Sequence, residues 1–287
     1  MDKIKVLVTG SSGMIGSHLV KSLVREGYEV VGIDIKKGAL MNDNFSFHSV
    51  DLGDINALEL VFEKEKPNRV IHLAALAHPL GKSDSDFKRI THINVECAEN
   101  IFKVAEKSKT PLLFISTVDV LGMTRGLITA TTTPNPVTDY GITKFQAENK
   151  LKQISTAYDI FRFSPVYTAD IKRDIQKRYY LKPTKWAYRI GRGGKFEVLD
   201  IQLAIKEMTD WVAKEPTNSL RIIKDEKLLD VNELIKAEKE EGRANHVLYF
   251  PRWLVILGYY CLYPILRKSN PSYLIFKALW PFRTSNY

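Results

Sequence analysis

The sequence predicts an α/β fold with a doubly wound parallel sheet, and three observations carry this prediction. Short apolar runs alternate with amphipathic helical patterns over the first two thirds of the chain, which is typical of parallel strands joined by right-handed crossovers. The first of these runs ends at a glycine-rich turn that leads directly into a helix. The 287 residues are enough for one large α/β domain, alone or with a smaller lobe.

The glycine-rich turn lies between Ile4 and Leu19, with glycines at positions 10, 13 and 16. Gly10 permits the turn, Gly13 lets a pyrophosphate approach the backbone, and Gly16 lets the helix pack closely on the strand. The first N–H groups of such a helix and its dipole favour a phosphate. The turn therefore predicts dinucleotide binding in preference to a purely structural role.

The second strand, Tyr28–Asp34, ends in an acid. An acid about twenty residues after the glycine turn accepts hydrogen bonds from the adenosine ribose and repels a 2′-phosphate. This favours NAD over NADP, although Lys36 and Lys37 weaken the preference. The alternative is an acidic residue that only serves a turn.

The remaining elements continue the alternation of strands and helices. Further strands are predicted over Phe45–Val50, Arg69–Ala75, Pro111–Ser116 and Asp159–Phe163. Asp54 is the predicted N-cap of one helix, a long helix is predicted over Asp86–Ser108, and another runs from Tyr140 through Ile154.

The helix that starts near Tyr140 carries a possible proton-transfer pair. Tyr140 and Lys144 are four residues apart and therefore lie on one helical face. A nearby cation stabilises a phenolate and so lowers the pKa of a tyrosine. Such a pair alone is usually an ordinary surface feature, and its meaning comes from the motifs around it.

Taken in order, these motifs resemble those of the extended short-chain dehydrogenase/reductases, in the branch of nucleotide-sugar epimerases and dehydratases. The resemblance runs from Ile4 to about Val212. The matching stretches are the glycine turn Thr9–Gly16, the acids Asp34 and Asp51, the strand end His72–Ala75, Asn94 with Asn100, the helix start Tyr140–Lys144 with Glu148, and the strand Arg162–Tyr167.

The resemblance implies a Rossmann-like domain that binds NAD, a nucleotide-diphosphate sugar as substrate, and a homodimer formed by the helices near Asp86 and Tyr140. The catalytic residues that it implies are Thr117, Tyr140 and Lys144. The cofactor-binding residues that it implies are Gly10, Gly13, Met14, Ile15, Gly16, Asp34, Asp51, Leu52, Ala74, Ala75, Asn94, Tyr140, Lys144 and Pro165.

The segment after Thr117 departs from the pattern of the family's dehydratases. In those enzymes two acids follow the catalytic hydroxyl, whereas here Val118 replaces the first acid and only Asp119 remains. Leu121 also replaces the family's tyrosine. Standard dehydration is therefore disfavoured, and an epimerase or a 4-reductase is expected.

The resemblance also implies a division of the chain. Residues 1–168 and 196–214 would form the NAD-binding domain, and residues 169–195 and 215–287 a smaller, mainly helical substrate-binding lobe. Within the returning part, Phe196–Asp200 would be a strand that precedes a helix. Between Lys172 and Lys195 the chain has nine cations and one acid, Asp174, so most of the net charge of +9 lies there. This basic run suits a sugar-nucleotide diphosphate, and a solvated basic surface is an equal alternative.

Several classes of function are disfavoured by composition. No motif that reads nucleic acid accompanies the basic run, so nucleic acid is not an expected partner. The two cysteines, Cys97 and Cys261, make neither a disulfide framework nor a metal cluster. The first strand follows Met1 too closely for a secretory signal. We therefore expect a cytoplasmic protein without a metal.

The last segment is unusually aromatic and apolar. It contains 11 of the chain's 30 aromatic residues between Tyr249 and Tyr287, and Trp253–Leu266 has no charge. Those fourteen residues are too few to span a bilayer, and Gly258 and Pro264 are expected to interrupt them. Burial within the substrate-binding lobe is the favoured interpretation. The alternative is membrane association, which the flanking cations Arg252, Arg267 and Lys268 would suit. The chain ends soon after Phe282, where the family often continues.

Three functions follow from these observations. The first is an NAD-dependent nucleotide-sugar epimerase or 4-reductase in glycan-precursor synthesis. The second is a hydroxysteroid- or lipid-directed dehydrogenase of the same family, which the apolar C-terminal segment would fit. The third is a non-catalytic nucleotide-sensing protein, which the presence of Thr117, Tyr140 and Lys144 disfavours.

Overall fold

The predicted strands and helices are formed, with some changes at their ends. The computed structural model describes residues 3–38, 42–77, 84–129, 131–168, 173–181, 184, 186–266 and 270–285. The strands within these residues are β1 (Lys5–Thr9), β2 (Glu29–Asp34), β3 (Phe45–Ser49), β4 (Arg69–His72), β5 (Leu112–Thr117), β6 (Leu127–Ile128), β7 (Tyr158–Phe163), β8 (Val166–Tyr167), β9 (Tyr180–Leu181), β10 (Trp186–Ile190), β11 (Lys195–Phe196), β12 (Leu199–Asp200), β13 (Leu220–Ile223), β14 (Leu229–Asp230), β15 (His246–Phe250) and β16 (Arg283–Thr284).

The α-helices connect these strands. They are α1 (Met14–Arg25), α2 (Ile55–Glu65), α3 (Asp84–Thr91), α4 (Cys97–Lys107), α5 (Asp139–Leu151), α6 (Arg173–Gln176), α7 (Ile201–Val212), α8 (Val231–Glu240), α9 (Arg252–Leu266) and α10 (Asn270–Leu279). The Asp54 side chain accepts a hydrogen bond from the Ala57 N–H at 3.0 Å, which confirms it as the N-cap of α2.

A seven-stranded parallel sheet has the order β13-β7-β5-β4-β1-β2-β3. In the register of its centre, Thr9 pairs with Ile33 on one side and with His72 on the other. From β1 the chain moves outward to β2 and β3, then returns past β1 to β4 and β5. The strand order therefore reverses at the carboxyl ends of β1 and β4, where doubly wound sheets bind ligands. The predicted fold class is confirmed.

The chain divides into two compact units. The first comprises Met1–Thr117, Asp139–Arg162 and Gln202–Arg221, and the second comprises Val118–Thr138, Phe163–Ile201 and Ile222–Tyr287. In the first unit, buried side chains of β1, β4 and β5 form one core with α2, α4 and α5. In the second unit, short pairings such as β15-β10-β9 and β11-β14 surround a core that contains Tyr179 and Phe196. The predicted assignment of NAD and substrate to separate parts of the chain stays a prediction.

Three predicted elements differ in detail. The helix predicted over Asp86–Ser108 is formed by α3 and α4, with a π-helical turn at His92–Glu96 between them. The helix from Tyr140 ends at Leu151 rather than Ile154. The strand predicted over Phe196–Asp200 is two short strands, because β11 pairs with β14 while β12 pairs with β8.

The helix α9 contradicts two expectations. It runs from Arg252 to Leu266 through both Gly258 and Pro264, which do not interrupt it. The prediction that packing buries this segment is wrong for its outer side, since only Tyr259 is fully buried along the helix. No helix among the described residues is both long and apolar enough to cross a bilayer.

Candidate functional site

The glycine turn joins β1 to α1 at the point where the strand order reverses. Gly10 has a φ of +68°, a conformation that favours glycine, and its N–H donates to the Ile33 carbonyl at 2.8 Å. A Cβ on Gly16 would lie 2.1 Å from the Gly10 carbonyl oxygen, so helix and turn are in direct contact there. Gly13 is the N-cap of α1, so no side chain caps the first N–H groups of this helix. Met14 and Ile15 form the first turn of this helix.

The Gly16→Ala variant tests this close packing. Because the added methyl group would collide with backbone, α1 must shift from β1, and we expect NAD affinity to fall by about tenfold or more. Isothermal titration with NAD measures the loss. Gly258→Ala is the matched control, since a Cβ on that helical glycine meets open space. Equal affinity of Gly16→Ala and wild type would contradict the close packing.

One acid lies at the end of β2, beside the glycine turn, and another follows the end of β3. Asp34 ends β2, and its carboxylate accepts hydrogen bonds from the N–H groups of Ser12 at 3.1 Å and Lys36 at 3.2 Å. The Asp51 carboxylate accepts from the Gly53 N–H at 2.8 Å. Asp34 thus connects the glycine turn to the end of β2, which is where an adenosine ribose would be bound in this arrangement.

The turn and its neighbours fit a dinucleotide. Gly10, Gly13 and Gly16 leave backbone N–H groups at the start of α1 without covering side chains. After β4, the Ala74 N–H donates to the Thr9 hydroxyl at 3.3 Å, and the small side chains of Ala74 and Ala75 follow. The residues present are therefore of the size and polarity that a pyrophosphate and a flat ring need.

Asn94 holds the segment that follows β4. It is buried, accepts from the Leu76 N–H at 2.7 Å, and donates to the Leu76 carbonyl at 3.1 Å and the Thr143 hydroxyl at 3.1 Å. Asn94 lies in the π-helical turn, and such turns are frequent at functional sites. A second amide, Asn100, donates to the Leu52 carbonyl at 2.9 Å. These contacts fix the loops after β3 and β4.

The predicted catalytic residues all lie in the first unit. Thr117 is the last residue of β5, Tyr140 is half-buried in the first turn of α5, and Lys144 lies one turn further and is fully buried. Since β1, β4 and β5 are parallel, their carboxyl ends lie at the same edge of the sheet. Thr117 therefore lies at the same edge as the glycine turn.

Lys144 has an unusual environment for a lysine. Its ammonium nitrogen lies 3.9 Å from the centroid of the Phe114 ring. Burial lowers the pKa of Lys144 to about 7, and the carboxylate of Glu148 opposes this shift. His72, on the adjacent strand, has its pKa lowered to about 3 by burial and by the charge of Lys144. Lys144 can therefore change its protonation state near neutral pH while His72 stays neutral.

The lowered pKa of Lys144 should make the free energy of unfolding of the NAD-free protein depend on pH. Between about pH 7 and pH 10.5 the unfolded chain holds a proton that the folded chain lacks, so stability rises with pH by about 1.4 kcal/mol per pH unit. Below pH 7 both states are protonated and the contribution of Lys144 is constant. Urea unfolding of wild type and Lys144→Met across this window measures the difference. The same slope in both proteins would contradict the lowered pKa.

A buried ion pair supports the same helix. Glu148, one turn after Lys144, is fully buried and accepts hydrogen bonds from the Arg162 guanidinium at 2.7 and 3.0 Å. The Ser116 hydroxyl donates to the same carboxylate at 2.5 Å. The network links α5 to β5 and β7. The sequence analysis did not predict this ion pair. The signal for it is Arg162, a charged residue inside the apolar run Ile160–Phe163, because a buried charge needs a buried partner.

The Asp119 carboxylate is bound by a lysine and a tyrosine of α10 within the second unit. Its carboxylate accepts from the Lys277 ammonium at 2.5 Å and from the Tyr273 hydroxyl at 3.1 Å. Burial and this carboxylate raise the pKa of Tyr273 well above its usual value. Sequence reasoning missed both partners, because they lie more than 150 residues away in the chain.

A small cleft lies within the second unit. Its lining includes Ser164, Pro165, Arg178, Phe196 and Lys277. The Ser164 hydroxyl is buried without a hydrogen-bond partner among the described residues, and the Arg178 guanidinium lies 4.3 Å from the centroid of the Phe196 ring. Pro165, a predicted cofactor contact, thus lies in the second unit. The Glu197 carboxylate also lines this cleft, and the Lys277 ammonium is paired with Asp119, so the lining is polar and of mixed charge.

Only part of the basic run can be placed. Arg178 lines the cleft, Arg189 donates to the Asn232 side chain at 3.3 Å, and Lys195 pairs with Asp230 at 3.6 Å. Lys172, Lys182 and Lys185 lie outside the described residues.

Comparisons with known proteins agree with these features. The family model described as "NAD dependent epimerase/dehydratase family" matches residues 6–200. CapI of Staphylococcus aureus is 30% identical over 189 residues, covering 57% of this chain and 54% of CapI. A UDP-glucose 4-epimerase of Lactobacillus helveticus is 27% identical over 242 residues, covering 80% of this chain and 71% of that protein. The chain thus spans about half the length of CapI.

Solved structures share the fold. WbmG of Bordetella bronchiseptica, in complex with NAD, has a TM-score of 0.71 at 22% identity and covers 87% of this chain and 82% of its own. UDP-glucose 4-epimerase of Thermotoga maritima, with UDP-glucose, has a TM-score of 0.68 at 22% identity and covers 86% of each chain.

Proposed function

Because the chain belongs to the NAD-dependent epimerase/dehydratase family, we propose that it is an NAD-dependent epimerase or 4-reductase of nucleotide-diphosphate sugars. The observation that carries this proposal is that one structural unit holds both the glycine turn and the side chains of Thr117, Tyr140 and Lys144. The turn would hold the pyrophosphate, and Asp34 would accept hydrogen bonds from the adenosine ribose.

The proposed chemistry is reversible oxidation of a sugar hydroxyl. The nicotinamide would supply a hydride acceptor and donor. Tyr140 would take the proton of the reacting hydroxyl and return it, and Thr117 would hydrogen-bond the reacting oxygen. Lys144 in its charged form would stabilise the Tyr140 phenolate and hold the nicotinamide ribose. Asn94 and the Glu148 network would keep the supporting loops and helix in place.

Standard dehydration is the less favoured reaction. Elimination of water needs an acid to protonate the leaving hydroxide. Val118 has no acidic group, and the Asp119 carboxylate forms an ion pair with Lys277. Epimerisation and 4-reduction need no such acid.

The substrate class rests on the family and on polar groups of the second unit. The cleft offers a substrate the Arg178 guanidinium and the Ser164 hydroxyl, which has no hydrogen-bond partner among the described residues. One structure with this fold, MoeE5, contains UDP-glucose and NAD. A homodimer formed through α3 and α5 belongs to the same proposal.

A panel assay tests the proposed function. The protein would be incubated with NAD or NADH and with UDP-, dTDP- and GDP-sugars, and the products analysed by mass and chromatography. An unchanged mass with a shifted retention time identifies an epimerase. A difference of two hydrogens identifies a net oxidoreductase, and loss of water a dehydratase. Absence of turnover across the panel would overturn the nucleotide-sugar substrate.

One observation favours a second candidate function. The outer side of α9 is apolar and exposed within the unit that holds the cleft. A lipid-directed or hydroxysteroid-type dehydrogenase of the same family would act on a membrane-borne alcohol. Adding lipid and steroid alcohols to the panel distinguishes the two, because only the second candidate predicts NAD reduction with them.

A further inference from the structure

The helix α9 presents a continuous apolar surface. Six of its large side chains have exposed fractions between 46% and 79%, namely Trp253, Leu254, Leu257, Tyr260, Leu262 and Ile265. Trp253, Leu257 and Tyr260 follow at intervals of four and three residues, so they form one stripe along the helix. Leu254 and Ile265 lie beside this stripe. We name these six side chains the α9 face.

The opposite side of α9 packs against the protein. Tyr259 is buried, and its ring lies 5.6 Å from the ring of Trp280 in a core that includes Phe276 and Leu279. The helix therefore has apolar residues all round but only one side covered. A helix of this composition is normally enclosed by protein or lipid. An exposed apolar patch on a folded chain marks an interaction surface.

The α9 face has few polar groups that could specify a protein partner. Protein interfaces commonly have a polar rim and about one hydrogen bond per 100–200 Å². The Tyr260 hydroxyl already accepts a hydrogen bond from the Arg125 guanidinium at 3.0 Å, and the remaining five side chains of the face have little capacity beyond the Trp253 indole N–H. A lipid bilayer, unlike a protein partner, does not need hydrogen-bonding groups on the face that contacts it.

The charge around the face is positive. The chain from Tyr249 to Tyr287 contains five cations and no acid. Arg252 is exposed at the start of α9, and the turn at Gly191 lies against its side chain, which brings the exposed Arg192 close. Arg125 lies beside Tyr260 at the middle of the helix. Arg267 and Lys268 follow the helix in the sequence but lie outside the described residues.

We propose that the α9 face docks on an anionic lipid bilayer, with the helix lying in the plane of the headgroups. The helix has 15 residues and a length of about 22 Å, which is too short to cross the hydrocarbon core. Leu257 and Ile265 enter the acyl boundary, Trp253 and Tyr260 lie at headgroup level, and the arginines contact lipid phosphates. This surface is independent of the proposed reaction.

Vesicle co-sedimentation tests the proposal. The full chain would be mixed with vesicles of phosphatidylcholine alone or of phosphatidylcholine with phosphatidylglycerol. We expect binding to the anionic vesicles, weakened by salt, and little binding to the neutral ones. Leu257→Glu and Ile265→Glu should each reduce the partition coefficient about tenfold or more. Leu60→Glu on α2 is the matched control, because Leu60 is 66% exposed and lies far along the chain in the first unit.

Two further measurements keep the outcomes distinct. Circular dichroism checks that each variant is folded, which is expected because the substituted side chains are exposed. Light scattering gives the oligomeric state. Equal vesicle binding by wild type and the α9 variants, or equal binding to neutral and anionic vesicles, would overturn the proposal. So would a wild-type dimer that binds no vesicles and that Leu257→Glu converts to a monomer, since the α9 face would then join two copies.

Discussion

Replacing Tyr140 by phenylalanine should reduce turnover by about a hundred-fold to ten-thousand-fold, the usual contribution of a positioned acid or base. The substitution removes the hydroxyl to which we assign proton exchange with the substrate, and it leaves the ring in α5. The measurement is kcat with the substrate identified by the panel assay. Binding of NAD should change much less than kcat, because the glycine turn and Asp34 are untouched.

A second tyrosine serves as control for this variant. Tyr28→Phe removes the same hydroxyl between α1 and β2, outside the proposed site, and should leave kcat unchanged. If Tyr140→Phe kept wild-type turnover, the assignment of Tyr140 as the proton-transfer residue would be wrong.

Replacing Arg162 by methionine should destabilise the protein by about 3–5 kcal/mol. The change leaves the Glu148 carboxylate, which is fully buried, without its cationic partner. Desolvation of an unpaired charge is the physical cause, and urea unfolding is the measurement. The matched surface variant is Lys206→Met, which breaks the exposed pair with Asp210 and should cost less than about 1 kcal/mol.

A double variant separates charge burial from lost packing. With Glu148→Leu added to Arg162→Met, two apolar side chains replace the buried ion pair, and most of the stability should return. A loss below about 1 kcal/mol for Arg162→Met alone would show that water reaches the Glu148 carboxylate. Such a result would also weaken the idea that this network fixes the position of Lys144.

The sheet could be predicted because local rules decide it. Buried parallel strands read as apolar runs, and the glycine turn has a spacing that chain geometry demands. The N-cap at Asp54 follows from a local hydrogen bond and was predicted for the same reason. The π-helical turn could not be predicted, since the apolar spacing is compatible with an uninterrupted helix and the deviation depends on where Asn94 finds its partners.

Contacts between residues that are far apart in the chain could not be predicted from the sequence. The residue types at Thr117, Tyr140 and Lys144 predict a proton-transfer site, and the structure places them in one unit, but their roles await the variants above. The low pKa of Lys144 comes from burial, which depends on packing around the Phe114 ring. The partners of Asp119 come from α10, and no local pattern joins the two segments. The exposure of α9 also depends on what packs beside it.

The two units are interleaved along the chain, which passes between them at five points from Thr117 to Ile222. No single cut can therefore release either unit as an intact fragment. A chimera that exchanged the second unit for that of a relative would have to replace three separate segments. The large sheet is complete only when β7 and β13 have paired. Because these pairings join segments that are distant in the chain, they are expected to slow folding.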